Sequence, residues 1–144
     1  MINESNNTVT EIQLLSKNHK KIVFVSGNFN ILHPGHLRLL RFASECGDFL
    51  VVGVNPQQTP GAVLDEKHRF DAIQSIGFVD YVFILRERSH SFIKKLRPAV
   101  VVKGKEHEFT SNVELDTVLA YGGKLLFGSG DLTFSSMDLL KNEF

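Results

Sequence analysis

Short apolar segments alternate with longer polar and glycine-containing segments along the 144 residues of this chain. Five of the apolar segments are rich in valine and carry apolar residues at consecutive positions, which is typical of strands buried on both faces of a parallel sheet. We predict strands over residues 21–25, 49–54, 81–85, 99–103 and 124–127.

The segments between the predicted strands have the apolar spacing of helices. Asp65 is a typical N-cap residue, and Gly47, Gly77 and Gly122 mark helix ends. A helix before the first strand either docks on the domain or pairs with a second subunit. The predicted helices cover residues 8–16, 34 or 35 to 46, 65–76, 89 or 91 to 96, 111–121 and 137–143.

A strand followed by a helix occurs five times in succession. This order predicts an α/β fold, specifically a Rossmann-like three-layer sandwich around a five-stranded, mostly parallel sheet. In this scheme residues 1–20 are an N-terminal extension. Residues 21–144 form one domain of ordinary size.

The composition excludes several classes of protein. Equal numbers of basic and acidic residues, 16 of each, argue against a broad nucleic-acid-binding face. The single cysteine, Cys46, rules out an internal disulfide and a cysteine-based zinc cluster, and it fits a reducing cytoplasm. No apolar run approaches the roughly 20 residues that span a membrane. We expect a soluble cytoplasmic protein without a signal peptide.

Candidate chemistry is concentrated in residues 26–36, SGNFNILHPGH, which join the first strand to a helix. Ligands bind at the carboxyl ends of parallel strands, and a helix N-terminus attracts phosphate through its free N–H groups. Gly35 lets a ligand approach the backbone. We interpret His33 and His36 as two imidazoles at a phosphate-binding turn. The ordinary alternative is one helix cap and one packed side chain. A zinc site is a weaker option, since two histidines do not complete its ligands.

Two further clusters follow later strands and are expected at the same edge of the sheet. Lys103 and Gly104 end the fourth strand, where the alternative is a solvated strand end. Ser135 and Ser136 open the last helix, where the alternative is an ordinary glycine loop with a serine cap. The chain has no Walker-type loop and no Gly-x-Gly-x-x-Gly, which disfavours a P-loop enzyme and a nicotinamide dinucleotide site.

Residues 27–36, GNFNILHPGH, resemble the Gly-x-Phe-Asp-x-x-His-x-Gly-His signature of the cytidylyltransferase-like nucleotidyltransferases. The similarity continues in order along the domain. The pattern looks most like the adenylyltransferase domain of bacterial ADP-heptose synthesis. The later matching segments are DEKHR at 65–69, VDYV at 79–82, LRP through KG at 96–104 and FSS at 134–136.

The resemblance implies that a sugar or polyol phosphate attacks the α-phosphorus of ATP or CTP, with release of pyrophosphate and with Mg²⁺ accompanying the triphosphate. It implies catalysis by His33 and His36. It also implies a homodimer and fusion or partnership with a sugar kinase. From the charge balance and the short apolar runs we expect no nucleic-acid partner and no membrane partner. Nucleotide binding would fall to Ser26, Gly27, Asn28, Phe29, Gly35, Lys103, Gly104, Ser135 and Ser136. Substrate binding would fall to Asn30, Asn55, Arg69, Lys105 and Glu106.

The chain also departs from the family pattern. Asn30 and Gln57 stand where aspartates are expected, and Met137 replaces a hydroxyl residue. The loop 56–64 is short and lacks a lysine that would grip the triphosphate, and Lys105 is a hypothetical substitute for it. These departures leave open a second hypothesis, a nucleotide-binding or regulatory module without catalysis. A domain of a larger synthase is a third.

Overall fold

The computed structural model describes residues 4–17, 20–104 and 112–128, which form a five-stranded parallel sheet with helices between the strands. The strand order is β3-β2-β1-β4-β5, so the predicted α/β class and Rossmann-like sheet are confirmed. The strands are β1 (Ile22–Gly27), β2 (Phe49–Val54), β3 (Tyr81–Ile84), β4 (Val100–Gly104) and β5 (Lys124–Gly128).

Strand β1 lies at the centre of the sheet, with β2 on one side and β4 on the other. The chain reverses its direction of progress across the sheet at this point. In open α/β sheets, the crevice outside the carboxyl ends of such strands is the usual ligand site. The topology therefore places the end of β1 and the residues after it at the expected position of a site.

Five helices are described, and most begin and end within two residues of their predicted bounds. The first begins at Glu4 rather than at residue 8, and the predicted helix over 137–143 lies outside the described residues. The helices are α1 (Glu4–Leu15), α2 (Pro34–Glu45), α3 (Glu66–Gln74), α4 (Ser89–Leu96) and α5 (Asn112–Ala120).

Two apolar cores cover the two faces of the sheet, because successive strand side chains point to opposite faces. In β1, Phe24 packs in the core beneath α1, α4 and α5, whereas Val23 and Val25 pack in the core beneath α2 and α3. The first core contains an aromatic cluster in which the Phe83 and Phe92 ring centroids lie 4.6 Å apart. The result is the predicted three-layer arrangement.

Helix α1 docks on the domain, which was one of the two alternatives for it. Val9 and Ile12 are buried in the first core. The Tyr81 hydroxyl donates a hydrogen bond of 2.8 Å to Glu11, and the Lys95 ammonium donates one of 2.6 Å to Ser5. The division of the chain at residue 20 stays a prediction, but α1 shares the core of the sheet.

Two of the predicted glycine stops work in different ways. Gly122 has a φ of +87°, the left-handed conformation that a glycine after a helix often adopts. Gly47 follows Cys46, the C-cap of α2, and is required for space, because a Cβ atom there would lie 2.5 Å from the Lys21 carbonyl oxygen.

Candidate active site

A cleft of about 650 Å³ opens at the carboxyl ends of the strands. Five of the residues predicted to bind ligand line it, namely Ser26, Gly27, Asn28, Asn55 and Lys103. Residues of the short loop after β2 and of the β3–α4 connection complete its walls. These are Pro56, Thr59, Pro60, Leu85, Arg86, Glu87, Arg88 and Ser89.

His33 is the N-cap residue of α2. Its Nδ1 atom accepts hydrogen bonds from the backbone N–H groups of Gly35, at 3.1 Å, and of His36, at 3.3 Å. Pro34 has no N–H group, and the Leu37 N–H donates to the His33 carbonyl oxygen. The expectation of free N–H groups at this helix N-terminus is therefore wrong. The first turn is capped by the His33 side chain itself.

The same contact fixes the tautomer of the His33 ring. An Nδ1 atom that accepts two hydrogen bonds carries no proton, so the neutral ring carries its proton on Nε2. His33 is 7% exposed, and burial lowers the pKa of its imidazole despite the opposing effect of a backbone hydrogen bond. The ring is therefore neutral near pH 7, with Nε2 as its hydrogen-bond donor.

His36 stacks on His33, with ring centroids 3.9 Å apart and an angle of 19° between the ring planes. Phe29 contacts His36 in an edge-to-face arrangement, at 5.8 Å between centroids and 67° between the ring planes. Neither histidine lines the cleft. Phe29 links the pair to the cleft wall, since it contacts His36 and a Cβ atom on Gly27, a residue of that wall, would be 3.2 Å from the Phe29 ring. The imidazole pair adjoins the cleft at the β1 turn.

Arg69, on α3, lies behind the cleft wall rather than on it. Its side chain is 1% exposed and donates to three backbone carbonyl oxygens. Nε donates to Leu64 at 2.8 Å, and Nη1 donates to Asn28 at 2.8 Å and to Asn55 at 2.7 Å. This placement favours a role in holding the ends of β1 and β2 together over direct contact with a substrate.

Asn30 joins the β1 turn to the short loop 56–64. Its Nδ2 donates to the Gly61 carbonyl oxygen at 2.7 Å, and its Oδ1 accepts from the Val63 N–H at 2.8 Å. Asn28 adds a bond to the Pro60 carbonyl oxygen at 3.3 Å. An asparagine can both donate and accept here, whereas the aspartate of the family pattern can only accept when ionised. The departure at position 30 is thus matched to this loop.

Gln57, the second departure, forms two reciprocal hydrogen bonds with Glu66, the first residue of α3. The Gln57 side chain accepts from the Glu66 N–H at 2.8 Å, and the Glu66 carboxylate accepts from the Gln57 N–H at 3.0 Å. Arg86 donates to the same carboxylate at 2.5 Å. The bonds from Arg86 and then from the Gln57 N–H lower the pKa of Glu66. The loop is therefore fixed at both ends by side-chain hydrogen bonds.

Lys103 lines the cleft, and its ammonium donates to Glu114 in the first turn of α5. Gly104 ends β4 without lining the cleft. Four predicted site residues lie outside the described residues, together with the departure Met137. These are Lys105, Glu106, Ser135 and Ser136. Their roles stay predictions.

Arg86, Arg88 and Glu114 were missed from the sequence. Arg86 and Arg88 lie in the segment that follows β3, so the argument that selected Lys103 at the end of β4 would have selected them too. Arg88 forms no ion pair or side-chain hydrogen bond with any residue in the described part of the chain. Its cationic charge is available to an anionic ligand. Glu114 left no comparable signal beyond being acidic in a first helical turn.

Within residues 4–17, 20–104 and 112–128, no group of three or more histidine, cysteine, aspartate or glutamate side chains is placed to hold a metal ion. Glu87 is the one carboxylate among the described residues of the cleft wall, and it accepts a hydrogen bond of 3.0 Å from Lys95. No helix in those ranges is long and apolar enough to cross a membrane.

The fold defines an α/β protein with a cleft at the switch point of a parallel sheet, and the cleft wall includes Arg86, Arg88 and Lys103. Residues 24–123 match the model of the family described as cytidylyltransferase-like. The chain therefore belongs to the cytidylyltransferase-like family of nucleotidyltransferases.

Curated relatives support this assignment. The chain is 36% identical over 123 residues to the Bifunctional protein HldE of Marinomonas sp. (strain MWYL1), covering 80% of this chain and 26% of the relative. It is 39% identical over 118 residues to the Bifunctional protein HldE of Campylobacter curvus (strain 525.92), covering 76% and 25%. The chain thus spans about a quarter of the length of these relatives.

A solved structure has the same fold. It is a lipopolysaccharide core biosynthesis protein from Thermoplasma volcanium GSS1, with a TM-score of 0.67 and 22% identity. The similarity covers 78% of this chain and 99% of that one. At this level of identity the comparison bears on the fold alone.

Proposed function

We propose that this protein transfers AMP or CMP from ATP or CTP to a sugar or polyol phosphate and releases pyrophosphate. An oxygen of the acceptor phosphate forms a bond to the α-phosphorus. The bond from the α-phosphorus to the oxygen that bridges it to the β-phosphorus breaks, and the electron pair leaves with pyrophosphate. Such a transfer depends mainly on positioning and on stabilising negative charge.

The observation that carries the proposal is the cleft at the end of β1. One wall is the β1 turn, and the others present the cationic side chains of Arg86, Arg88 and Lys103. Cations and backbone groups at a strand end suit a polyphosphate ligand. Together with family membership, this wall chemistry supports a nucleoside triphosphate as the ligand.

His33 and His36 are the proposed catalytic residues. The Nε2–H of a neutral His33 is a hydrogen-bond donor for a phosphoryl oxygen whose charge rises in the transition state. The stacking of His36 on His33 fixes the orientation of both rings. Because Phe29 contacts both His36 and the cleft-wall residue Gly27, we expect a ligand to approach the rings along the β1 turn.

Mg²⁺ is the proposed cofactor, bound with the triphosphate. Magnesium usually keeps several bound waters. Its remaining ligands are one or two protein carboxylates and the phosphate oxygens of the substrate. Glu87, the one carboxylate on the described cleft wall, is already paired with Lys95, so phosphate oxygens would supply most of the binding. The ion would offset charge on the triphosphate.

We also propose that the protein is a cytoplasmic homodimer.

A second proposal concerns a partner activity. The relatives are named as bifunctional, and this chain spans about a quarter of their length. We therefore propose that a second activity, a sugar kinase, is either fused to this domain or supplied by a separate partner.

Binding without turnover is the second candidate function. It is favoured by Asn30, whose amide oxygen and nitrogen are both bonded to the loop 56–64 rather than available to a ligand. Thermal unfolding with ATP or CTP and pyrophosphate release with a panel of phosphorylated acceptors separate the two candidates. A ligand that stabilises the folded protein raises its melting temperature with concentration. Stabilisation with turnover supports the transferase, and stabilisation without turnover for every acceptor supports the binding module.

A further inference from the structure

Among the described ion pairs that include a residue of the cleft wall, the pair formed by Lys103 is the least exposed to solvent. Its side chain is 16% exposed and that of its partner Glu114 is 11% exposed, so the pair is largely removed from water. The Arg86–Glu66 pair beside the same cleft is more open, at 49% and 21%. An ion pair of low exposure is screened less by solvent and salt than an open one.

Glu114 is bonded to Lys103 through one carboxylate oxygen. The other oxygen, Oε2, is buried and has no hydrogen-bond partner among the described residues. The carboxylate lies in the first turn of α5, where the helix dipole stabilises negative charge. Lys103 is therefore the one hydrogen-bond partner of the Glu114 carboxylate among the described residues.

We propose that Glu114 engages the ammonium of Lys103, a residue of the cleft wall, and competes with the phosphates of a ligand for it. A nucleoside triphosphate or pyrophosphate that enters the cleft takes over the ammonium from Glu114. The carboxylate thereby sets the affinity of the site for polyphosphate. This inference rests on the proposed function, since it assumes that the cleft binds a polyphosphate.

The test measures the dissociation constants of pyrophosphate, ATP and CTP by isothermal titration calorimetry. Glu114→Gln removes the competing charge with little change in size. We expect it to tighten binding about tenfold, which corresponds to about 1.4 kcal/mol. Asp116→Asn is the matched control, because it removes the same charge from an exposed position of α5. It should change the dissociation constant less than about twofold because exposed charges are screened.

A double-mutant cycle with Lys103→Met separates competition from simple repulsion. If Glu114 acts by engaging Lys103, Glu114→Gln tightens binding much less in the Lys103→Met background than in the wild type. Equal tightening in both backgrounds would overturn the proposal, because the effect would then be repulsion between Glu114 and the ligand. Unchanged or weaker binding by Glu114→Gln would overturn it as well.

Outcomes for the inference and for the proposed function can be told apart. Wild-type protein that binds triphosphate and turns over, with no effect of Glu114→Gln, overturns the inference alone. Absence of polyphosphate binding by the wild type and by every variant overturns both. Should Glu114→Gln fail to fold, Glu114→Asp keeps the charge but shortens its reach toward Lys103. We expect that variant to tighten binding by a smaller factor, and unchanged binding would count against the proposal.

Discussion

Arg69 is expected to be the side chain on which the shape of the cleft depends most strongly. It is almost completely buried and donates to the carbonyl oxygens of Leu64, Asn28 and Asn55. Replacing it by methionine keeps the length of the side chain but leaves these oxygens without their donor. A buried polar group that loses its partner costs about 1–3 kcal/mol.

Arg69→Met also removes the cost of burying the guanidinium charge, and this gain partly offsets the cost of the unpaired carbonyl oxygens. Burial lowers the pKa of Arg69, and its Nη2 atom has no hydrogen-bond partner among the described residues. We therefore expect a net loss of about 3 kcal/mol in the free energy of unfolding for Arg69→Met, near the lower end of the cost of breaking a buried charged contact. In a domain of this size this lowers the melting temperature by about 6–12 °C.

Urea denaturation followed by circular dichroism measures this loss. Arg38→Met, on the exposed surface of α2, is the control, and it should change the free energy of unfolding by less than about 0.5 kcal/mol. Arg69→Lys should recover little, because an ammonium cannot reproduce the forked geometry of the guanidinium. A loss below about 1 kcal/mol for Arg69→Met would refute the reasoning, since it would mean that these carbonyl oxygens find other donors.

Three further predictions concern the turn, the histidine pair and the first helix. Asn30→Asp, which restores the family residue, should destabilise the protein by about 1 kcal/mol in urea unfolding, because a carboxylate cannot donate to Gly61; a gain in stability would contradict this. The lowered pKa of His33 favours its neutral form in the folded state, so stability should fall as the pH drops below about 6.5. His33→Asn keeps a capping oxygen but removes the imidazole, so it should reduce the loss of stability between about pH 7.5 and about pH 5.5. An unchanged pH dependence would refute the attribution of this loss to the lowered pKa of His33. Ile12→Ala should cost about 2–4 kcal/mol in urea unfolding if α1 belongs to the core, whereas Leu14→Ala, at a side chain 69% exposed, should cost little; equal effects would contradict this.

The strands and most helices could be predicted because their signals are local. The apolar runs at 49–54 and 100–102 need burial on both faces, and Asp65 caps α3 as its residue type suggests. Ligands bind at the carboxyl ends of parallel strands, which predicted that Lys103 lies near the turn after β1, and both line the same cleft.

The details of the site depend on contacts between distant segments, which a local pattern does not reveal. The motif was compatible with two interpretations of His33, as a helix cap or as an imidazole at a phosphate-binding turn. The capping role became visible only in the geometry of the α2 N-terminus. The bonds from Asn30 to residues 61 and 63 span more than thirty positions. The partnership of Lys103 with Glu114 requires the first turn of α5 to lie near the end of β4, which composition and periodicity do not specify.

The most direct test of the proposed activity is pyrophosphate release by the purified chain. ATP and CTP are each offered with a panel of sugar and polyol phosphates, and the wild type is compared with His36→Ala. Loss of a catalytic group that acts only in the transition state should lower kcat/KM far more than it changes triphosphate affinity. We predict pyrophosphate release with at least one pair of substrates by the wild type and loss of most of it in His36→Ala. No release with any pair, or equal rates for the two proteins, would contradict the proposed role of the histidine pair.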